Sequence, residues 1–403
     1  MTNLPQSWEI KTLEEVCEVV MGQSPNGNCI FDKDKNKDLI EFHQGKIAFS
    51  DKYINESNFV TSDVRKVAKE NSIVLSVRAP VGEVNITTKD IAIGRGLCSL
   101  NGVKINNNFL FFYLLTLKKY FNDNSTGSTF KAINMKVIKE TKIPLPPLKE
   151  QERIVGILDE SFANIDESIK NLEQDLLNLD ELMQSALQKA FNPLKDKSKE
   201  NYQLPQGWEW KSLGEICYIT DGTHKTPQYK ENGIPFLSVK NISKGFFDLS
   251  DVKYISLEEH NKLIKRAKPE FGDILICRIG TLGKAIKVCL EFEFSIFVSL
   301  GLLKPKISII SDYLVYFLNS HFIEIWINNN KVGGGTHAAK LNLSVLEKCP
   351  IAIPPLKEQE QIASYLDELS LNIKVLKENY KTQIKDYEEL KKSLLKKAFE
   401  GRL

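Results

Sequence analysis

Closely spaced cysteines are missing from this 403-residue chain: the seven present (17, 29, 98, 217, 277, 289 and 349) stand apart, with no CxxC. That usage suits a reducing compartment and excludes a disulfide framework or a zinc knuckle. Histidine is scarce, and its five positions (43, 224, 260, 321, 337) lie too far apart for local metal ligation. Long hydrophobic runs are also lacking. Phe109–Leu117 and Phe294–Leu303 reach about half of the roughly 20 residues that a membrane helix needs. The opening MTNLPQSW has neither a basic flank nor an apolar core, so no secretory signal is expected and the expected location is cytoplasmic, without membrane. Nor is there a large charge excess, with 54 Lys/Arg against 52 Asp/Glu. A hydrophobic share of 42% and a charged share of 26% exclude wholesale disorder. At about 150 residues per domain, the length suggests two or three domains.

Enzyme motifs are absent as well. No GxxxxGK[ST] occurs: Gly280-Thr-Leu-Gly283-Lys284 has the tail of the pattern, but Arg278 stands where its first glycine should be. HExxH, GxSxG, GxGxxG and the [DNS]PP[YFW] tetrapeptide of amino-methyltransferases are not found either. Catalytic sets can be assembled over long distances, but two divergent halves each hiding one is the weaker reading.

What the chain has is a repeat. Residues 4–17, LPQSWEIKTLEEVC, and 204–217, LPQGWEWKSLGEIC, agree at nine of fourteen positions at an offset of 200. PPLKEQE occurs at 146–152 and again at 354–360, an offset of 208 that persists through Ala190-Phe191 and Ala398-Phe399. Between these frames the copies diverge: NSIVLSVRAPVGEV (71–84) loosely echoes GDILICRIGTLGKA (272–285), with Arg78 and Arg278 200 apart, and GSTFKAIN (127–134) faces GTHAAKLN (335–342). The second copy therefore gains eight residues in its middle. A period near 200 is too long for a solenoid and describes a duplicated unit: a variable globule followed by a fixed helical part.

The helical parts are readable in detail. Apolar residues after Pro146–Pro147 fall at 162, 165, 169, 172, 176, 179, 183, 186 and 190, alternating steps of three and four. This is a heptad seam. It predicts a helix from Lys149 to Ala190 of about 63 Å, closed by Pro193. The second copy runs through Leu366, Leu369, Ile373, Leu376, Tyr380, Ile384, Tyr387, Leu394 and Ala398, with one step of four where three is due. A lone helix cannot cover such a stripe. Two of equal length predict an antiparallel pair within one chain, a coiled-coil homodimer being the alternative. SIVLSVRA (72–79), IPFLSV (234–239) and DILICRIG (273–280) read as strands, and 109–121 and 312–327 as buried helices in equivalent places. Without a βαβ rhythm the fold class is α+β. The predicted domains are globule 1 (1–142), a central long helix (143–192), a linker (193–203), globule 2 (204–350) and a C-terminal long helix (351–403).

Charge follows the same division: 18 Lys/Arg against 13 Asp/Glu in 16–142, 17 against 13 in 217–350, and 7 against 12 in 143–203. Mildly basic globules with polar Gly/Thr/Ser/Asn loops suit nucleic acid, because short polar side chains and amides bond phosphates while longer ones reach base edges. The candidate DNA-contacting residues are Gln23, Ser24, Asn28, Arg78, Thr129 and Lys131 in globule 1. In globule 2 they are Thr223, His224, Lys225, Lys240, Arg278, Thr336, His337 and Lys340. Plain turns and caps are the alternative for the Gly-Thr-His triplets, and a neighbouring carboxylate is the alternative for the two arginines. Trp8 and Trp208 read as buried anchors to the helical frame. Asp159, Glu160, Asp166, Glu167, Glu173, Asp180 and Glu181 offer an acidic outer face for a partner, or a solvated surface.

LPxxWxxxxLxEx(C) opening a globule, then PPLKEQExI entering a long helix that ends in KAF, all present twice over residues 4–403, resembles the DNA-sequence-specificity subunit of type I restriction–modification systems. DGTHKTPQY, NGIPFLSVKNIS and GGTHAAKLNLSVL strengthen the resemblance in globule 2, whereas MGQSPNG and GSTFKAIN stand in their place in globule 1. The resemblance implies target-recognition domains that each read one half of a split, asymmetric site in double-stranded DNA. It further implies helices that space the globules and dock two copies of a methyltransferase subunit, and a restriction and translocase subunit beyond these. The chain itself would hold no cofactor and do no catalysis; S-adenosylmethionine, ATP and magnesium would belong to the partner subunits. A self-sufficient DNA-modifying enzyme and a protein-binding scaffold are the rival classes.

Overall fold

The computed structural model describes residues 4–403 apart from Lys37, 128–130, 192–203 and 334–338. The chain divides into two compact units. The first comprises Met1–Leu172 with Lys381–Leu403, and the second Glu173–Tyr380, so each unit takes one globule and one half of each long helix.

Each globule is built on the same four-stranded antiparallel sheet. In the first unit the order is Cys17–Met21, Leu97–Gly102, Ile73–Ser76, Val84–Ile86; in the second it is Cys217–Asp221, Leu300–Pro305, Ile274–Cys277, Ala285–Lys287. The central strands ILIC and IVLS are buried at all four positions, because both faces of the sheet are covered. Alternate side chains leave a strand on opposite faces. Accordingly Ile274 and Ile276 join the cluster that faces the helices, while Leu275 and Cys277 join a separate cluster on the other side. Ile73 and Leu75 against Val74 repeat the division in the first unit. The second layer is where the copies differ: a five-stranded mixed sheet in the first unit and a three-stranded one in the second.

The eight extra residues of the second copy are distributed along it. Matching strand registers and backbone bonds equate Cys17 with Cys217, Ile73 with Ile274, Gly102 with Pro305, and Ile133 with Leu341. The offset therefore grows in stages from 200 to 208. A short strand pair closes each globule at its base, Glu9–Thr12 on Lys142–Leu145 and Glu209–Ser212 on Pro350–Ile353. The buried helices are each broken in two, Asn107–Thr116 with Lys118–Asp123 and Ser311–Leu318 with His321–Asn330. In the second unit the break is held by Asn319, whose side chain bonds both the N–H and the C=O of Ala285.

The long helices are Leu148–Ala190 and Leu356–Phe399. The nine seam positions of the first are all buried or half-buried. Within the first unit the helices run antiparallel: Arg153 donates to the carbonyl of Leu403, and Lys391 pairs with Asp166 and lies over the Phe162 ring. Within the second unit the same sense is shown by Lys377 with Asp180, and by Met183 and Ala186 sharing a core with Leu366 and Leu369. The irregular step in the second seam is resolved here. Leu376 is 39% exposed, and Lys377 takes the seam position in its place, its stem covered and its ammonium on Asp180.

The KAF ends explain how the frame grips the globules. Phe399 stands edge-on to Phe109 (5.2 Å) and Tyr113 (5.0 Å) in the first unit. Phe191 stands edge-on to Tyr313 (5.8 Å) and Phe317 (5.2 Å) in the second. Each globule is thus held by the far end of the helix that follows the other globule. The PPLKEQ motif has an equally local cause. Gln151, 1% exposed, donates to Pro146 O and accepts from Asn106 N, both at 2.8 Å. Gln359 does the same with Pro354 O at 2.8 Å and Ile310 N at 2.9 Å. Each ties the entry of a long helix to the N-terminus of a buried helix. Trp208 donates to Glu358 at 3.1 Å from the first turn of the second long helix, and Trp8 packs beside Gly401, so both tryptophans are anchors.

Candidate nucleic-acid interface

The described candidate residues of globule 2 (Thr223, His224, Lys225, Lys240, Arg278 and Lys340) gather at one end of its four-stranded sheet. Strand Cys217–Asp221 leads into Gly222, where a Cβ would lie 2.0 Å from the carbonyl oxygen of Ile296. Gly22 is equally forced in the first globule, 2.2 Å from the Gly94 oxygen. The turn that follows carries Thr223, His224 and Lys225. Thr223 accepts the Lys225 N–H at 3.2 Å, so the turn alternative holds for this hydroxyl. Lys240 is exposed on the short helix Val239–Ile242, whose first N–H is held by Ser299. Lys340 bridges to Ile279 and is exposed.

Arg278 needs correction. It is 7% exposed and lies on Asp221, with further bonds to the carbonyls of Leu341 and Val298, each at 3.1 Å. The carboxylate alternative is therefore the one realised, and Arg278 is not available to a duplex in this state. Its supposed counterpart Arg78 is exposed and makes no ion pair among the described residues. The offset of 200 misaligned the two. Val77 N bonds Gly96 O and Arg278 N bonds Ser299 O, while Arg78 pairs with Ala132 as Ile279 pairs with Lys340. Arg278 thus corresponds to Val77, and a slip of one residue in a strand exchanges inward for outward side chains.

In globule 1, Gln23 is exposed and its N–H is held by Ile93 O. Ser24 donates to the Gln44 side chain at 2.9 Å. Asn28 is exposed on the short turn Gly27–Cys29, and Lys131 is exposed beside Ala79. Thr129, Thr336 and His337 lie outside the described residues. Three further basic residues, not singled out from the sequence, join these candidates. Arg95 is exposed between Gly94 and Gly96, both packed on Gln44, and the Gly-Arg-Gly triplet was a usable signal. Lys46 occupies the place of Lys240, since Phe42–His43 and Phe236–Leu237 pair alike with their parallel neighbours. Arg266 reaches Asp221 across a long sequence separation and left no local signal.

Among the described residues no group of three or more His, Cys, Asp or Glu is placed to hold a metal. Burial pushes the Cys17, Cys98, Cys217, Cys277 and Cys349 thiols up to about 12, the opposite of an activated nucleophile. No helix among the described residues is long and apolar enough to cross a membrane.

A duplicated α+β globule, gripped through fixed aromatic positions by a helical frame and differing in its loops and second layer, defines a tandem recognition scaffold. The family comparison is consistent with that class: the chain belongs to the family described as the type I restriction modification DNA specificity domain, matched at residues 5–178 and 205–386. It is 25% identical to the MjaIX specificity subunit of Methanocaldococcus jannaschii over 99% of this chain and 94% of that one. The MjaX subunit of the same organism is 39% identical over 38% of this chain, which spans about a third (36%) of that relative's length. The EcoBI specificity subunit of Escherichia coli is 26% identical over 74% of this chain and 66% of its own. Among solved structures, the fold matches a chain from a study of complex assembly and conformational transition of the type I R-M system, with a TM-score of 0.78 at 22% identity and full coverage of both chains. It also matches the HsdS subunit from Thermoanaerobacter tengcongensis, with a TM-score of 0.63 at 23% identity over 99% and 98% of the two chains.

Proposed function

We propose that this chain is the non-catalytic DNA-reading subunit of a type I restriction–modification complex acting in the cytoplasm, each globule reading one half of a split, asymmetric site in double-stranded DNA. The observation that carries this reading is the division of labour within the repeat. Sheet, Phe anchor and buried Gln are the same in both copies, while the loops around Gly22 and Gly222 and the layer behind them differ. A scaffold that must hold two different sequences at a set separation needs that division. On this proposal the long helices fix the number of unread base pairs. Adding or removing heptads in both helices together shifts the spacer and leaves the half-sites unchanged.

The proposed partners are two methyltransferase subunits and a restriction and translocase subunit, which would supply S-adenosylmethionine, ATP and magnesium. Of the acidic residues expected to face them, Asp159, Asp166 and Asp180 are already paired with Lys52, Lys391 and Lys377. Glu160, Glu167, Glu173 and Glu181 remain exposed. On the long helices of the second unit Leu177 and Leu371 are also exposed, at 60% and 62%. The net charges of the globules are small, so binding by the isolated chain should be weak and salt-dependent, with linkage of two globules supplying the rest. The test mixes the chain with labelled duplex, with and without the methyltransferase, and maps methylated adenine in cells that express both. A split motif is expected. Methyl transfer by the chain alone, or no duplex binding in either mixture, would overturn the proposal.

A further inference from the structure

Asp221 is 1% exposed, yet three basic side chains converge on it. Arg278 lies on one carboxylate oxygen and Arg266 on the other, Arg266 also donating to the Asp221 carbonyl at 3.2 Å. His224 Nε2 approaches to 3.0 Å. One carboxylate cannot neutralise two guanidiniums, so the network carries a full surplus positive charge. Arg278 is walled in, whereas the Arg266 side chain is 57% exposed. The surplus is therefore presented by Arg266, at the mouth of a cleft of about 280 Å³ lined also by Thr223, His224, Lys225 and Lys262.

Stability alone does not explain this arrangement. Burying charges in a sheet is costly, and well-packed apolar groups commonly serve as well. The first globule is the internal control. The same sheet positions hold Met21 and Val77, both packed into its apolar core. The fold closes without the ionic network, so the network does something else in the second globule.

We infer that Asp221 is a positioning residue that fixes Arg266 over the Thr223–Lys225 turn as a clamp for a DNA backbone phosphate, made by the second globule and not the first. This rests on the DNA-reading proposal above. A guanidinium held at Nε and one Nη keeps its remaining N–H groups in a set direction, and a forked, pre-oriented donor suits a phosphate better than a free lysine does. The turn beside it adds Lys225 and the exposed ring of His224.

The experiment is a salt titration of the full chain on fluorophore-labelled duplex, run on random sequence and on the methylated motif once mapped. Arg266→Gln is expected to lower the slope of log affinity against log salt by about 0.9 and affinity about five- to tenfold on both duplexes, leaving base preference unchanged. Arg266→Lys keeps the charge and should keep the slope while losing affinity. Asp221→Asn keeps the Arg266 charge but frees its direction, so it should keep the slope and lose affinity as Arg266→Lys does, and adding it to Arg266→Gln should lower affinity no further. Because Asp221→Asn leaves Arg278 buried without its counter-charge, the surface variant Arg266→Gln decides if that protein does not fold. A wild-type slope in Arg266→Gln overturns the clamp and leaves DNA reading intact. A changed base preference at one position overturns it too, by making Arg266 a base reader. Absence of duplex binding by the wild-type chain under every condition would instead remove the underlying proposal.

Discussion

Removing the aromatic ring of Phe191 or Phe399 should destabilise one unit and spare the other, and for Phe399 the unit affected is the one that sequence proximity would not choose. Phe399 is 8% exposed and meets two rings at 5.0 and 5.2 Å. A buried Phe→Ala change costs about 3–5 kcal/mol, and two edge-to-face pairs at ~0.5–1.5 kcal/mol each place this site toward the upper half. Taking about 4 kcal/mol, and 2–4 °C per kcal/mol for a unit of roughly 200 residues, Phe399→Ala should lower the melting transition of the first unit by about 10 °C. Hydrogen exchange gives the residue-level assay. Amides of Ile73–Ser76 in the central strand of the first unit should exchange about a thousandfold faster, at one decade per 1.4 kcal/mol. Those of Ile274–Cys277 should hardly change. Phe191→Ala should do the reverse, although Phe191 directly follows the helix that leaves globule 1. Faster exchange of Ile73–Ser76 in Phe191→Ala, with Ile274–Cys277 protected, would refute the crossed anchoring.

Other outcomes follow from the same contacts. Gln151→Leu and Gln359→Leu strand a buried carbonyl and N–H each, and should destabilise their units by about 3 kcal/mol; an unchanged melting curve would show that water replaces the amide. Replacing both Lys377 and Lys391 by leucine should raise the melting temperature while loosening the register that polar seam residues specify, giving self-association in sedimentation velocity; a more stable, strictly monomeric variant would count against that role. Burial opposes ionisation of Glu41, but Lys33, Lys89, the Ser57 N–H and His43 outweigh it and hold its pKa at about 2, below the ordinary 4.5. Its contribution is thus complete above pH 4.5 and lost as pH falls toward 2. Glu41→Gln should flatten that acid limb in exchange measurements on the first globule, and an unaltered limb would place the sensitivity elsewhere.

The sequence by itself determined the duplication, the alternation of globule and helix, the heptad seam and the central strands. All of these are written in local patterns and their repetition: heptads for the helices, continuous apolar runs for strands covered on both faces, and the repeated PPLKEQE and LPQxWE segments for the frame. It also placed the loops around Gly22 and Gly222, because a backbone approach that forbids a Cβ leaves a glycine behind. Tertiary structure alone decided which side of a strand each arginine takes. The offset of 200 joined Arg78 to Arg278, but one residue inserted upstream turned Arg278 inward onto Asp221 and left Arg78 outside. Lys377 taking the seam from Leu376 was equally invisible, since it depends on Asp180 of a helix some two hundred residues away. So did Arg266, whose partner lies 45 residues distant. Periodicity reports what a segment buries; which charged groups meet depends on contacts that only the folded chain brings together.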